Sequence, residues 1–314
     1  MPHAIEYDRF GGPEVLEYRE IPYATAGPGE VVVEVRAAGV NPIDWKLRSR
    51  IRASGEITAP RRVGADASGV ITEVGAGVAG WSPGDEVIVA GASGAYATEI
   101  AVAASKLTRK PEGVTWEQAA AIPTPVGTAY QAITSLGVGE GMTLLVHGGS
   151  GSVGQAAIQF GRRLGATVVA TASERNHERL RELGAVPVAY GPGLLERVRD
   201  AAPQGIDVVL DAAGTEEALH VSTELVADGD RVGTVVAGPR AQEFGIRAWG
   251  GGSPIPLTPE ELALRAEAVP LVAELVARGE FEIEIAHRYP LVDAAEAQRQ
   301  SQTGHVRGKI VLLP

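Results

Sequence analysis

The sequence predicts an α/β protein in which a doubly wound, parallel-sheet domain is joined to a β-rich, barrel-like domain. Three observations carry this. From Thr143 onward, short apolar runs alternate with segments of helical period, the pattern of parallel strands linked by crossover helices. Between the first such run and the first such helix stands Gly149-x-Gly151-x-x-Gly154, and a strand–turn–helix setting is what makes that motif informative. Ahead of it, residues 1–122 hold many short β-branched runs broken by glycine and proline.

In chain order, Ala4–Tyr7, Val15–Tyr18, Val31–Val35, Gly69–Val74 and Glu86–Val89 read as strands. Gly11-Gly12-Pro13, Gly27-Pro28-Gly29 and Ser82-Pro83-Gly84-Asp85 read as turns between them. Trp116–Ala121 reads as a helix that stops at Pro123 and Pro125. Strands are then expected at Leu144–Val146, Thr167–Ala170, Val186–Ala189, Val208–Leu210 and Val232–Val236. The helices between them are Val153–Leu164, Glu174–Leu183, Leu194–Ala201 and Glu216–Val226, with Gly165 and Gly184 as stop signals. A helix at Pro259–Arg278, a strand at Phe281–Ile285, a helix at Val292–Gln300 and a strand at Ile310–Leu313 complete the chain. This tail breaks the alternation, so it is expected to return to the β-rich domain. The domain reading is 1–122, 123–258 and 259–314.

A net charge of −11 argues against nucleic acid or an anionic membrane surface as partner. The chain has no cysteine, which excludes disulfides and thiolate-ligated zinc, and its six histidines form no H-x-x-x-H pair, so no metal is expected. The opening MPHAIEYDRF lacks a basic-then-apolar leader pattern, and no apolar run reaches membrane-spanning length, so a cytoplasmic protein is expected.

The glycine turn predicts a dinucleotide site: Gly149, Ser150, Gly151, Ser152, Val153 and Gly154 would cradle a pyrophosphate at a helix N-terminus. An NAD-preferring site places an acid at the end of the second strand, where this chain has Ser173 followed by Glu174 and Arg175. A hydroxyl can donate to a 2′-phosphate and a guanidinium suits it, so NADPH is the expected cofactor. Glu174 is the counter-indication if the strand ends one residue later, and Arg175 on a solvated first turn is the plainer alternative.

Several further motifs, in order along nearly the whole chain, resemble the medium-chain dehydrogenase/reductase superfamily, and within it the zinc-free quinone oxidoreductases of the zeta-crystallin type. They are Ala37–Lys46 (AAGVNPIDWK), Gly64–Val70 (GADASGV), Gly84–Val87, Ala119–Pro123 with Gly127–Tyr130, His147–Gly154, Gly205–Gly214 and Gly304–Lys309. The resemblance implies a GroES-like domain, a Rossmann domain, an NADPH site in the cleft between them and a homodimer. It also implies hydride transfer to a quinone or an α,β-unsaturated carbonyl. Zinc-dependent relatives carry a Cys and a His as zinc ligands; here the Asn41–Asp44 segment has no Cys, and Ala65-Asp66 stands where a His-Glu pair would.

By family position, Asn41, Asp44 and Lys46 face the nicotinamide and its ribose, and Thr128 approaches from the other side. Lys46 would donate to a substrate carbonyl as charge builds on its oxygen; a surface lysine or a ribose contact alone is the alternative. For Asn41 and Asp44 the alternative is a pair of loop residues in Asx turns. Tyr190 matches a tyrosine beside the 2′-phosphate, or is an ordinary strand-end aromatic. Ala213 belongs to the cofactor half, and Lys309 in the terminal Arg307-Gly308-Lys309 would reach the cofactor. Loops 49–60 and 237–256, with Arg52, Trp249 and Ile255, would line the acceptor pocket without naming the substrate. An enoyl-thioester reductase of the same superfamily and a non-catalytic NADPH-binding protein remain the rival readings.

Overall fold

The computed structural model describes residues 1–251 and 253–314. The first elements are strands β1 (His3–Tyr7), β2 (Glu17–Glu20) and β3 (Glu30–Val40), helix α1 (Pro42–Arg48), and strands β4 (Arg61–Arg62), β5 (Asp66–Val74), β6 (Glu86–Val89), β7 (Glu99–Ala103) and β8 (Leu107–Arg109). Helices α2 (Trp116–Ala121) and α3 (Pro123–Ser135) follow. Then come β9 (Thr143–His147), α4 (Ser152–Arg163), β10 (Thr167–Ala172), α5 (His177–Glu182), β11 (Val186–Ala189), α6 (Leu194–Ala201), β12 (Val208–Asp211), α7 (Glu216–Leu225) and β13 (Val232–Thr234). The chain ends with α8 (Ala241–Phe244), β14 (Arg247–Ala248), α9 (Pro259–Ala277), β15 (Ile285–Pro290), α10 (Ala294–Gln302) and β16 (Lys309–Leu313).

The chain divides into two compact units, Met1–Thr124 with Val269–Pro314, and Pro125–Ala268. In the first, β2-β1-β4 form a small antiparallel sheet, and β15-β16-β3-β5-β6-β8 a larger one, with β7 also paired to β3. From Val269 the chain belongs to this unit, where β16 lies antiparallel to β3, and β15 parallel to β16. The valines of β3 explain its length, because a β-branched run with Val31, Val33 and Val35 buried fits a pleated surface. These residues join Ile5, Tyr96, Ile100, Ile310 and Leu312 in one core.

The second unit is a six-stranded parallel sheet of order β11-β10-β9-β12-β13-β14. The order reverses between β9 and β12, so this is a doubly wound sheet whose ligand crevice is expected beyond the strand ends at that switch point. Val169, Leu145, Val209 and Val232, from four neighbouring strands, lie in its core with Leu194, Val198 and Leu219 from the helices.

Helix α2 stops at Ala121, ahead of Pro123, as expected. Pro123 and Pro125 also open α3, which was not anticipated; first-turn amides have no intrahelical partner for proline to remove. Three expectations need correction. Pro13 starts one 3₁₀ turn through Val15, which delays the strand to Glu17. The strand expected at Phe281–Ile285 begins only at Ile285, since its partner β16 starts at Lys309, whose N–H bonds Glu284 O at 2.9 Å. β13 stops at Thr234 rather than Val236, because the Thr234 hydroxyl accepts the N–H groups of Val236 and Ala237 at 3.2 and 3.0 Å and turns the chain. Helix α1 was not anticipated, although Asn41 at its N-cap, Pro42 and Asp44 form a recognisable start signal.

Candidate active site

In the second unit, β9 runs straight into the glycine turn. Gly148 sits at φ +77°, a conformation that favours glycine, and a Cβ there would lie 3.0 Å from the backbone of Ala212. Gly149 and Gly154 are required by close packing: a Cβ on the first would lie 2.8 Å from Ala170 Cβ, and on the second 2.7 Å from Gly149 Cα. Gly151 differs. Among the described residues, a Cβ there would have only Gly148 O within 4 Å, at 3.6 Å, so their packing does not demand the glycine. Gly151 is the N-cap of α4 and offers no side chain to its first amides, so Ser152, Val153 and Gly154 present N–H groups at the positive end of a twelve-residue helix. An open cradle in front of uncapped amides fits a pyrophosphate. The exposed Ala213 is next to this turn in the fold, because residues 212–213 abut Gly148.

A buried polar row underlies the turn. His147 Nδ1 lies 3.3 Å from Thr171 Oγ1, which also accepts the Gly148 N–H at 3.2 Å. Across the sheet, Asp211 is paired in register with His147. Asp211 Oδ2 accepts the Thr234 hydroxyl at 2.7 Å, and Oδ1 accepts the N–H groups of Ala213 and Gly214 at 2.9 Å each. Burial pushes His147 down to about 4, against the opposing charges of Asp211 and Glu217, so the ring is neutral. Its Nε2 has no hydrogen-bond partner among the described residues. Nothing in the local sequence pattern marked this row, because its members come from four strands.

The residues expected to read the 2′-phosphate lie at adjacent strand ends. β10 ends at Ala172, so Ser173, not Glu174, is the first residue beyond it. Ala172 pairs with Ala189, so Ser173 and Tyr190 each stand one step past the last pair of parallel neighbours. Tyr190 is 53% exposed, and Arg175 is exposed with no ion pair among the described residues. Thr128 lies buried in α3 of this unit, three residues before Gln131, whose Oε1 accepts from Arg265 at 3.1 and 3.3 Å.

The first unit gathers a second cluster. Asn41 N–H donates to Asp44 Oδ2 at 2.8 Å, and the Tyr96 hydroxyl donates to the same oxygen at 2.7 Å. Burial raises Asp44 to about 6, against the opposing hydrogen bonds from Asn41 and Tyr96. Asn41 Nδ2 donates to Asp66 Oδ2 at 2.9 Å, and Asn41 Oδ1 accepts from Lys309 Nζ. The Lys309 ammonium is therefore engaged by this cluster. Lys46, on α1, points differently: it is half-buried, its ammonium lies 5.5 Å from the Trp45 ring centroid, and it makes no ion pair among the described residues. Burial, then Arg52, lowers its pKa. Asn41, Asp44 and Lys309 thus meet in one cluster of the first unit, which also holds Lys46 outside that cluster, and the glycine turn, Ser173, Arg175, Tyr190, Ala213 and Thr128 lie in the other unit.

Sequence reasoning did not anticipate Tyr96, and the pairings of Asp66 and Lys309 were invisible to it. Trp249 does not offer its indole to a pocket: it is 3% exposed, and its Nε1 donates to Glu261 at 2.6 Å. Ile255 is 72% exposed, and Gly252 of the same loop lies outside the described residues. A cavity of about 520 Å³ lined by Met1, Pro2, Tyr23, Arg36, Glu99 and Pro314 includes none of these residues. Among the described residues, no three His, Asp or Glu side chains come together as a metal site, and no helix is long and apolar enough to cross a membrane.

Residues 27–112 match the alcohol dehydrogenase GroES-like domain, and residues 183–312 match the zinc-binding dehydrogenase family. The human quinone oxidoreductase is 33% identical, over 100% of this chain and 98% of its own. The quinone oxidoreductase of Coxiella burnetii superposes with a TM-score of 0.85 at 30% identity, covering 100% of this chain and 99% of its own. That of Escherichia coli, solved with NADPH, superposes with a TM-score of 0.85 at 25% identity, over 99% of this chain and 100% of its own. Identity at this level, sustained end to end across both folded units, makes this chain a member of the quinone oxidoreductase family of medium-chain dehydrogenases/reductases.

Proposed function

We propose that this protein is an NADPH-dependent oxidoreductase that transfers hydride to a quinone or an α,β-unsaturated carbonyl without a metal. The observation that carries the reading is the open Gly151 cradle in front of uncapped helix amides, beside a strand end that offers Ser173 and Arg175 in place of an acid. The amides of Ser152, Val153 and Gly154 would hold the pyrophosphate, and Ser173 and Arg175 the 2′-phosphate, with Tyr190 flanking it. When bound, NADPH supplies the hydride.

The chain's own residues supply orientation and charge. Thr128 and Asn41 are the polar groups assigned to the nicotinamide end. Lys46, with no ion pair among the described residues and partly desolvated, donates a hydrogen bond to the acceptor carbonyl oxygen, and that bond strengthens as negative charge accumulates there. Asp44 is less available: its carboxylate is held by the Asn41 N–H and Tyr96, so it shapes the loop rather than touching the acceptor.

NADPH oxidation in the presence of an ortho-quinone, a simple enone and an enoyl thioester, with NADH as control, tests the reading. Turnover of the quinone or enone with a preference for NADPH is expected. Turnover of the thioester alone would move the assignment to thioester reduction, and equal use of NADH would remove the role given to Ser173 and Arg175.

A further inference from the structure

Three neighbouring strands place Lys309, Asn41 and Asp66 side by side. Ile310 pairs with Val40 across β16 and β3, so Lys309 and Asn41 face each other one step beyond that pair. On the other side of β3, Asp66 pairs with Gly39. Gly39 has no room for a side chain: a Cβ there would collide with Ala120 O and lie 3.3 Å from Lys309 Cε. The bare backbone leaves the passage that the lysine stem occupies.

The result is a carboxamide held between opposite charges. Asn41 Oδ1 accepts from the Lys309 ammonium, and Asn41 Nδ2 donates to Asp66 Oδ2 at 2.9 Å. Asn41, Asp66 and Lys309 are 1%, 1% and 3% exposed, so water does not screen the arrangement. Turning the amide over would set its NH₂ against an ammonium and its oxygen against a carboxylate, so only one orientation is allowed. Asp66 is itself fixed, accepting the Thr124 N–H at 3.1 Å on the same oxygen.

We propose that Lys309 is a positioning residue for hydride transfer: with Asp66 it locks the Asn41 carboxamide in one orientation, leaving the remaining N–H and lone pair of Asn41 aimed in a fixed direction. This rests on the reading that Asn41 meets the nicotinamide end of the cofactor. It also gives Lys309 a different task from the direct cofactor contact expected from the sequence.

The test uses the full-length protein and the variants N41A, K309M, N41A/K309M and K309M/D66N. The last removes both buried charges and serves as the folded comparison should K309M alone unfold. Quinone-dependent kcat and KM, NADPH Kd and Tm are read for each. In this account N41A and K309M each lower kcat by about tenfold, and the double variant N41A/K309M falls no further than N41A. K309M/D66N shows the same loss of kcat as K309M, while NADPH Kd changes by less than about threefold. Multiplying losses in N41A/K309M, or a tenfold rise in NADPH Kd in K309M with kcat retained, would overturn the proposal. So would a lower Tm in K309M with unchanged kcat, which is the signature of a purely structural ion pair. Wild-type turnover by N41A would instead remove the reading of Asn41 on which the proposal stands.

Discussion

The hydroxyl of Tyr96 lies 2.7 Å from Oδ2 of Asp44, donating to a carboxylate that also caps the loop through the Asn41 N–H. Both side chains are buried, and burial raises Asp44 to about 6 from an ordinary value of 3.8. A carboxyl whose folded pKa is raised contributes stability that is fully present below its unfolded value and is lost as pH rises through the folded one. Above pH 6 the protein therefore carries a buried carboxylate that depends on Tyr96.

Tyr96→Phe should accordingly destabilise more at pH 8 than at pH 5. At pH 8 it removes a hydrogen bond to a charged group, worth about 1.5–3 kcal/mol; at pH 5 it removes a neutral one, worth about 0.5–1.5 kcal/mol. Urea denaturation at the two pH values measures both. An equal loss at both would mean that Asp44 does not change its protonation over this range.

His147 has the opposite sign. Its folded pKa is depressed to about 4 from 6.5 by burial, so its contribution is present above 6.5 and is lost as pH falls toward 4. The stability advantage of the wild type over His147→Asn should shrink by about 1.4 kcal/mol per pH unit across that window. A constant difference from pH 7 to pH 4.5 would show that the ring is not held neutral beneath the glycine turn.

The glycines of the turn should separate by role. Gly151→Val should keep a wild-type Tm and weaken NADPH by about a hundredfold, because the added side chain enters the space a phosphate would take rather than packed protein. Gly154→Val should unfold or lose several degrees in Tm, because its Cβ would sit on Gly148 and Gly149. Thermal melts with cofactor titration by fluorescence distinguish the two, and normal NADPH affinity in a folded Gly151→Val protein would refute the cradle.

Ser173 and Arg175 should select the cofactor. Arg175→Ala should weaken NADPH by about tenfold and leave NADH unchanged, since only the 2′-phosphate distinguishes the two. Ser173→Asp should reverse the preference, with an acid at the end of β10 accepting from a ribose hydroxyl and repelling a phosphate. Steady-state kcat/KM ratios for the two cofactors measure this. A ratio unmoved by either change would place the selectivity elsewhere.

Much of the nucleotide-binding unit was legible because its signals are local. Apolar runs such as Leu144–Val146, followed by a glycine turn and a helix, carry their own register, and the parallel order follows from the connections. The first unit was less legible because its decisive relationships are long-range. Lys309 reads as part of a terminal basic stretch until β16 is laid against β3 and its ammonium meets Asn41, 268 residues away. Arg48 likewise becomes a buried group only when α10 brings Gln298 to its Nε at 2.7 Å. Pro123 and Pro125 were half legible for a different reason: α2 does stop ahead of them, but a proline is equally at home in a first turn, and α3 runs on from Pro123 to Ser135.

The most direct measurement is a single-turnover experiment. Enzyme loaded with NADPH is mixed with an ortho-quinone under anaerobic conditions, and the absorbance of the reduced nicotinamide is followed. The account predicts its decay in one phase in the wild type, and no protein-bound signal to decay in Gly151→Val. Stable bound NADPH in the wild type, undiminished by quinone, enone or enoyl thioester, would contradict it and leave a cofactor-binding protein without turnover.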